Sequence, residues 1–328
     1  MGSFDGVNVV LAVVVARPAP MVNYAGAMGA LKRAGFDGTI ALGSRCLVGR
    51  HAGCDLRLDD PRISGEHAGL RWVDRAWELR DLGSKNGTFV GGRRLAPGER
   101  ARLGEGDGFS VGGPEHAFTL IDGAPPAASA RSTPGGRVRV ASGGLLVLPD
   151  EENPRASVVE CGGWQLETEE GARPVLDREV VVVDGEGWVL DLPSAAAATM
   201  DAEGAGPLLE TIALRFGVTR DEEHVEVAVL HRGELTRVPP RTYHYLLLTL
   251  ARRRLADRDA SSAEQGWVES EALCKMLATD APKLNVDIFR ARKQLAALGI
   301  RGAAGVIARR PGTGMIRIGV EQLEVVQI

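Results

Sequence analysis

Through most of the chain before residue 240, apolar and polar residues alternate in short runs broken by Gly, Asp and Pro. Runs at 39–42, 45–48, 68–73, 76–80 and 116–121 each have the length and period of a half-buried strand. Their close spacing predicts an all-β sandwich. The same pattern resumes at 145–148, 158–161, 164–167, 180–183, 188–190, 211–216 and 225–230. After Pro240 the period changes. Tyr243, Leu246, Leu247, Leu250 and Ala251 are spaced as one face of a helix. A second, short helix is predicted at about 269–278. A third carries Leu284, Ile288, Ala291, Leu295 and Leu298 on one stripe and stops at Gly299. Two strand-like segments, 305–310 and 315–318, flank Pro311-Gly312-Thr313-Gly314 and predict a hairpin. The expected fold is multidomain and mostly β, with a C-terminal α+β domain.

Five segments follow from these patterns: an N-terminal extension (1–36), a β domain (37–122), a flexible linker (123–137), an acidic β-rich middle region (138–225) and a C-terminal domain (226–328). Residues 123–137 are small and proline-containing with no large apolar residue, hence the linker reading. Thr133 within it is expected to be reachable by a kinase. The net charge of −4 conceals an asymmetry. Residues 123–240 carry 10 basic and 20 acidic side chains, whereas 241–328 carry 14 and 9. The acidic middle is a poor nucleic-acid surface, and the basic C-terminal segment is a candidate one.

Four cysteines lie far apart with no CxxC pair, which argues against a zinc ribbon and a disulfide scaffold and favours a reduced, cytoplasmic setting. The longest apolar run, 9–16, is too short to span a bilayer, and no basic residue precedes it, so neither a membrane segment nor a secretory leader is expected. His51 and Cys54 lack further ligands, so no metal is expected. No P-loop, HExxH, GxSxG or kinase motif occurs, and no enzyme activity or cofactor is expected. The carboxylates of 138–225 have no spacing that names a reaction and read as solvated faces.

Three motifs recur in order: Leu47-Val48-Gly49-Arg50, then Ile63-Ser64-Gly65-Glu66-His67, then Ser84-Lys85-Asn86-Gly87-Thr88. Together they resemble the forkhead-associated (FHA) domain. The resemblance implies an eleven-stranded sandwich that binds phosphothreonine peptides through loops at one end. Arg50 and Ser64 would supply charge-assisted donors to the phosphate, Lys85 a second phosphate contact, and Asn86 a hydrogen bond to the peptide main chain. Gly49, His67 and Gly87 would support the pocket. The implied partner is a threonine-phosphorylated protein, with a Ser/Thr kinase upstream. Gly65 departs from the family, which usually has a polar residue there, and Arg62 is a candidate to compensate.

Residues 226–328 resemble the OmpR-type winged-helix domain. Leu284-Asn285-Val286-Asp287-Ile288-Phe289-Arg290-Ala291-Arg292-Lys293-Gln294-Leu295 is similar to its recognition helix, and 307–318 to its wing. Gln294 and Met315-Ile316 depart from the family pattern. The resemblance implies duplex DNA as a partner, met by Val286, Arg290 and Lys293 in the major groove and by Arg309, Arg310 and Arg317 on the wing. The regulator so implied couples kinase signalling to transcription. A helical projection, however, sets Phe289 beside Val286 on the face opposite the core stripe. Such an apolar patch points equally to a protein partner or a neighbouring domain, which would make the chain a phospho-dependent adaptor.

Overall fold

A computed structural model describes residues 28–133, 136–160, 163–193 and 206–328. The apolar run at 9–16 lies outside them, as does most of the N-terminal extension. Two compact units divide the chain, Gly29–Ala124 and Pro125–Ile328.

The first unit is a sandwich of two sheets. One contains β1 (Ala30–Arg33), β2 (Thr39–Ala41), β7 (Thr88–Val90), β8 (Arg93–Arg94), β10 (Gly108–Val111) and β11 (Ala117–Asp122), in the order β2-β1-β11-β10-β7-β8. The other contains β3 (Arg45–Gly49), β4 (Leu56–Arg57), β5 (Ala68–Val73), β6 (Ala76–Asp81) and β9 (Arg100–Leu103), in the order β4-β3-β5-β6-β9. Alternation places Leu31, Val48, Leu70, Trp77, Leu79, Phe109, Phe118 and Leu120 between the sheets. Phe109 and Phe118 stack with centroids 5.2 Å apart. The Trp77 indole N–H donates to the Ala124 carbonyl at 3.0 Å and ties down the chain end of the domain. Strand β1 lies within the segment expected to be an extension, so the domain starts earlier than residue 37. Its four-residue run Ala-Leu-Lys-Arg is too short to show alternation in the sequence.

The second unit begins inside the expected linker. Residues Ser129–Thr133 form β12, which pairs with β13 (Val138–Val140) on one side and β19 (Glu186–Asp191) on the other. Thr133 is therefore a strand residue, half-buried, its hydroxyl donating to the Gly187 carbonyl at 3.2 Å. Small residues suit this strand because Ala130 pairs with Leu190 and is buried in the tight core that also holds Trp188. Strand β18 (Val180–Val183) completes that sheet. A second sheet, β14-β15-β16-β17 (Leu145–Pro149, Pro154–Glu160, Trp164–Thr168, Gly171–Pro174), closes the sandwich. Leu146, Leu148, Ala156, Val158 and Leu166 face its interior.

Residues 213–225, expected in the middle region, belong with the C-terminal domain, where β20 pairs with β21 and β26. These strands, β20 (Ala213–Val218) and β21 (Val225–His231), form an antiparallel meander with β22 (Glu234–Val238). Helices α1 (His244–Ala256), α2 (Ser270–Met276) and α3 (Ala281–Ala296) follow, with β23 (Val268–Glu269) just before α2. Asp280 caps α3 by accepting from the Lys283 N–H at 2.8 Å. The hairpin β24 (Ile307–Arg310) and β25 (Met315–Ile318) comes next, and β26 (Gln322–Gln327) returns parallel to β20. Phe216, Leu246, Leu250, Leu273, Leu284, Ile288, Leu295 and Ile316 share one core. No helix among the described residues is long and apolar enough to cross a membrane, and no metal-binding cluster occurs among them.

Candidate functional site

The loops after β3, before β5 and before β7 converge through hydrogen bonds. Arg50 N–H donates to Ser64 O and His51 N–H to Gly65 O, both at 2.9 Å. The Ser64 hydroxyl accepts the Lys85 N–H at 3.2 Å, and Asn86 Nδ2 donates to the Arg62 carbonyl at 2.7 Å. Arg50, Ser64, Lys85 and Asn86, far apart in sequence, therefore lie on one interlinked set of loops. Arg50, Lys85 and Asn86 are exposed and Ser64 is half-buried. Arg50 Nε donates to Ile63 O at 3.3 Å, which orients a guanidinium that retains its other donors. A hydroxyl that accepts one hydrogen bond still has its proton to give. The cluster thus offers an arginine fork, a hydroxyl, an ammonium and an amide to an anionic ligand.

His67, fully buried, braces this cluster. Its Nδ1 accepts the Ser64 N–H at 3.2 Å, so its Nε2 carries the proton and donates to Gly87 O at 3.0 Å. One imidazole joins the Ser64 loop to the Asn86-Gly87 turn. Burial lowers its pKa and keeps it neutral, against a smaller raising effect of the Gly87 carbonyl. Asp81 anchors the same turn. It accepts from Gly83 N–H, Ser84 N–H, Ser84 Oγ and Thr88 Oγ1 at 2.8, 3.1, 2.5 and 2.7 Å. Burial favours its protonated form, but these four donors outweigh it and lower the pKa.

His67 predicts a pH dependence of stability. The unfolded side chain titrates near its ordinary value of about 6.5, and the folded one below it. Between those values the unfolded state binds more protons, so stability is full above about pH 6.5 and falls as pH drops. The protection factors of the 64–67 and 85–87 amides in the full chain, taken against the intrinsic exchange rate at each pH, should fall between pH 7 and 5. His67→Gln should flatten that dependence, and an unchanged slope would show that His67 is not the group.

Two glycines are required by geometry. A Cβ at Gly49 would lie 2.2 Å from Gly65 O, and one at Gly87 would lie 2.4 Å from Arg94 Nε at a φ of +89°. Gly49→Ala must push the Ser64-Gly65 loop away from Arg50. It is expected to abolish ligand binding while the domain stays folded, a split that calorimetry and circular dichroism together resolve. Gly65 is different: a Cβ there meets nothing within 4 Å. The family's polar side chain would fit, and its absence is not enforced by packing. Arg62 is already engaged, with Asp60 at 2.7 Å and Glu115 at 2.6 Å, and Asp60 also meets His116 at 2.9 Å. Hydrogen bonds from Arg62, with a smaller one from His116, hold the Asp60 carboxyl well below the usual range.

The basic residues of the C-terminal domain are arranged differently. Val286 is half-buried and Arg290 exposed on α3. Lys293 is exposed but ion-paired with Glu151 of the middle sandwich. Arg310 and Arg317 lie over the Trp267 ring, 4.6 and 4.5 Å from its centroid. Arg309 corrects the expectation of an exposed wing cation. It is buried, 3.5 Å from Glu167, donating to Thr168 O at 2.9 Å and to Asn285 Oδ1. Phe289 is also buried, packed against Leu145, Val147 and Val159. Arg292, which the sequence reading passed over, forms a two-pronged pair with Glu167 at 2.7 and 3.0 Å and donates to Ile307 O at 2.6 Å. Gln294, the departure from the helix pattern, bridges His244 at 3.0 Å and Pro239 O at 2.6 Å.

Residues 46–112 match the FHA domain family. The chain therefore carries an FHA domain, and the loop cluster of Arg50, Ser64, Lys85 and Asn86 lies within the matched segment. Among curated relatives, the oxoglutarate dehydrogenase inhibitor of Corynebacterium diphtheriae is 39% identical over 65 residues, which is 20% of this chain and 43% of that protein. The FHA domain-containing protein PS1 of Arabidopsis thaliana is 36% identical over 76 residues, 23% of this chain and 5% of that protein. The chain thus spans less than half the length of these relatives. Among solved structures, an FHA domain from Chlamydia trachomatis is 30% identical and covers 29% of this chain and 98% of its own, with a TM-score of 0.26.

Proposed function

We propose that this protein is a phosphothreonine-dependent regulator. Its FHA domain takes a threonine-phosphorylated protein as partner, with a Ser/Thr kinase upstream, in the cytoplasm. The observation that carries the reading is the convergence of Arg50, Ser64, Lys85 and Asn86 on loops fixed by His67. A phosphate dianion presents three strong acceptors, and these residues present matching donors. The test is calorimetry of the full chain with a phosphothreonine peptide library and its unphosphorylated counterpart. Equal binding of both sets would end the proposal.

For the C-terminal domain we propose a winged-helix DNA-binding module. The support is the element order: a small sheet, three helices with α3 longest, then a hairpin. A second reading, the protein-binding adaptor, is favoured by the contacts that Phe289, Arg292 and Arg309 make with the middle sandwich. Fluorescence anisotropy with random duplex DNA across a salt series separates the two, because phosphate contacts impose a salt slope of about −0.9 each.

A further inference from the structure

Helix α3 presents three stripes. Leu284, Ile288, Ala291 and Leu295 face its own domain. About 100° round the helix, Asn285, Phe289, Arg292 and Ala296 face the β14–β17 sheet: Phe289 packs on Leu145, Val147 and Val159, Arg292 pairs with Glu167, and Ala296 lies against Gly143. The third stripe, Val286, Arg290, Lys293 and Ala297, is the one proposed to read DNA, and Glu151 of the Asp150-Glu151-Glu152 loop reaches its Lys293. The wing is held as well. Arg309 is bound to Glu167 and Thr168, and Gly312 N–H donates to Ala172 O of β17 at 3.0 Å.

We infer that the middle sandwich is a clamp that masks α3 and the wing, its carboxylates standing where DNA phosphates would otherwise meet Lys293 and Arg309. This rests on the DNA reading above. A major groove is about 12 Å wide and a helix with its side chains about 10–12 Å across. A helix that carries a sheet along one flank does not fit. The clamp's charge also opposes DNA: Glu151, the middle of three consecutive carboxylates, meets Lys293 on the flank of α3 still in solvent. The pairing is chemically apt, because Glu167 binds Arg292 through both oxygens as a phosphate would. A clamp that leaves about 1% of molecules open weakens apparent DNA affinity about a hundredfold.

The experiment uses the full chain and two variants. Leu145→Glu places a charge on the sheet face that meets Phe289 and leaves the sandwich interior, Leu146 and Leu148, untouched. Glu151→Lys is an exposed change that removes the acidic contact to Lys293 without disturbing any core. Anisotropy with duplex DNA is read at several salt concentrations, and hydrogen exchange reports whether α3 has been uncovered. Leu145→Glu should raise affinity tenfold or more, and Glu151→Lys several-fold, with a steeper salt slope. If the parent chain binds DNA as tightly as a variant whose α3 is uncovered, there is no mask, although the DNA reading stands. If an uncovered α3 still binds no DNA, the DNA reading fails and the clamp as a mask falls with it. Should Leu145→Glu not fold, the Glu151→Lys comparison decides alone, and equal affinity there overturns the electrostatic mask.

Discussion

Arg50→Ala is expected to lower affinity for a phosphothreonine peptide by about ten- to a hundredfold. A hydrogen bond to a charged group contributes roughly 1.5–3 kcal/mol, and about 1.4 kcal/mol is a factor of ten. Arg50 is exposed, so truncation opens no cavity, and its backbone hydrogen bond to Ser64 O is unaffected by the substitution. The loss should therefore appear in binding and not in stability. Arg50→Lys keeps the charge but loses the planar fork, so it should recover only part of the affinity. Calorimetry on the full chain, with the unfolding midpoint measured alongside, checks both. An Arg50→Ala protein that binds as well as the parent would place the pocket elsewhere.

That Arg50, Ser64, Lys85 and Asn86 share one set of loops was legible because each sits in a short strand-turn motif, where local pattern and tertiary position coincide. What the sequence reading missed came from contacts between elements distant in the chain. Strand β12 hides in a Pro- and Ala-rich segment because small residues are what its seat in the core around Trp188 and Leu190 requires, whereas by composition alone small residues signal flexibility. The placement of Phe289 and Arg309 depends on a sheet more than 100 residues earlier. A signal for that sheet was present. Leu145-Leu146-Val147-Leu148 lacks the alternation of a one-sided strand, and all four residues are buried. A continuous apolar run in a strand marks a sheet covered on both faces. One cover is the other half of the sandwich and the second is α3. The apolar patch formed by Phe289 and Val286 in projection is the complementary half of that signal, and a neighbouring domain answers it.

Glu167→Ala should cost the second unit about 3–5 kcal/mol, because removing one partner of a buried ion pair strands the other. Here it strands two. Arg292 and Arg309 are both buried, and Glu167 is the carboxylate between them. Burial lowers the Arg309 pKa, with Glu167 partly offsetting it, a sign that the charge is already costly where it sits. Losing that carboxylate leaves two guanidiniums in apolar surroundings, which repel each other and have only carbonyl and amide oxygens as partners. For a unit of this size each kcal/mol moves the thermal midpoint by roughly 2–4 °C, so a drop of about 10 °C is expected. Glu167→Gln keeps the shape and one acceptor, and should fall between. Differential calorimetry of the full chain resolves the effect, since the FHA unit supplies an internal reference whose transition should not move. If the second transition is also unchanged in Glu167→Ala, water reaches Arg292 and Arg309, and the interface between sandwich and helix α3 is looser than a clamp requires.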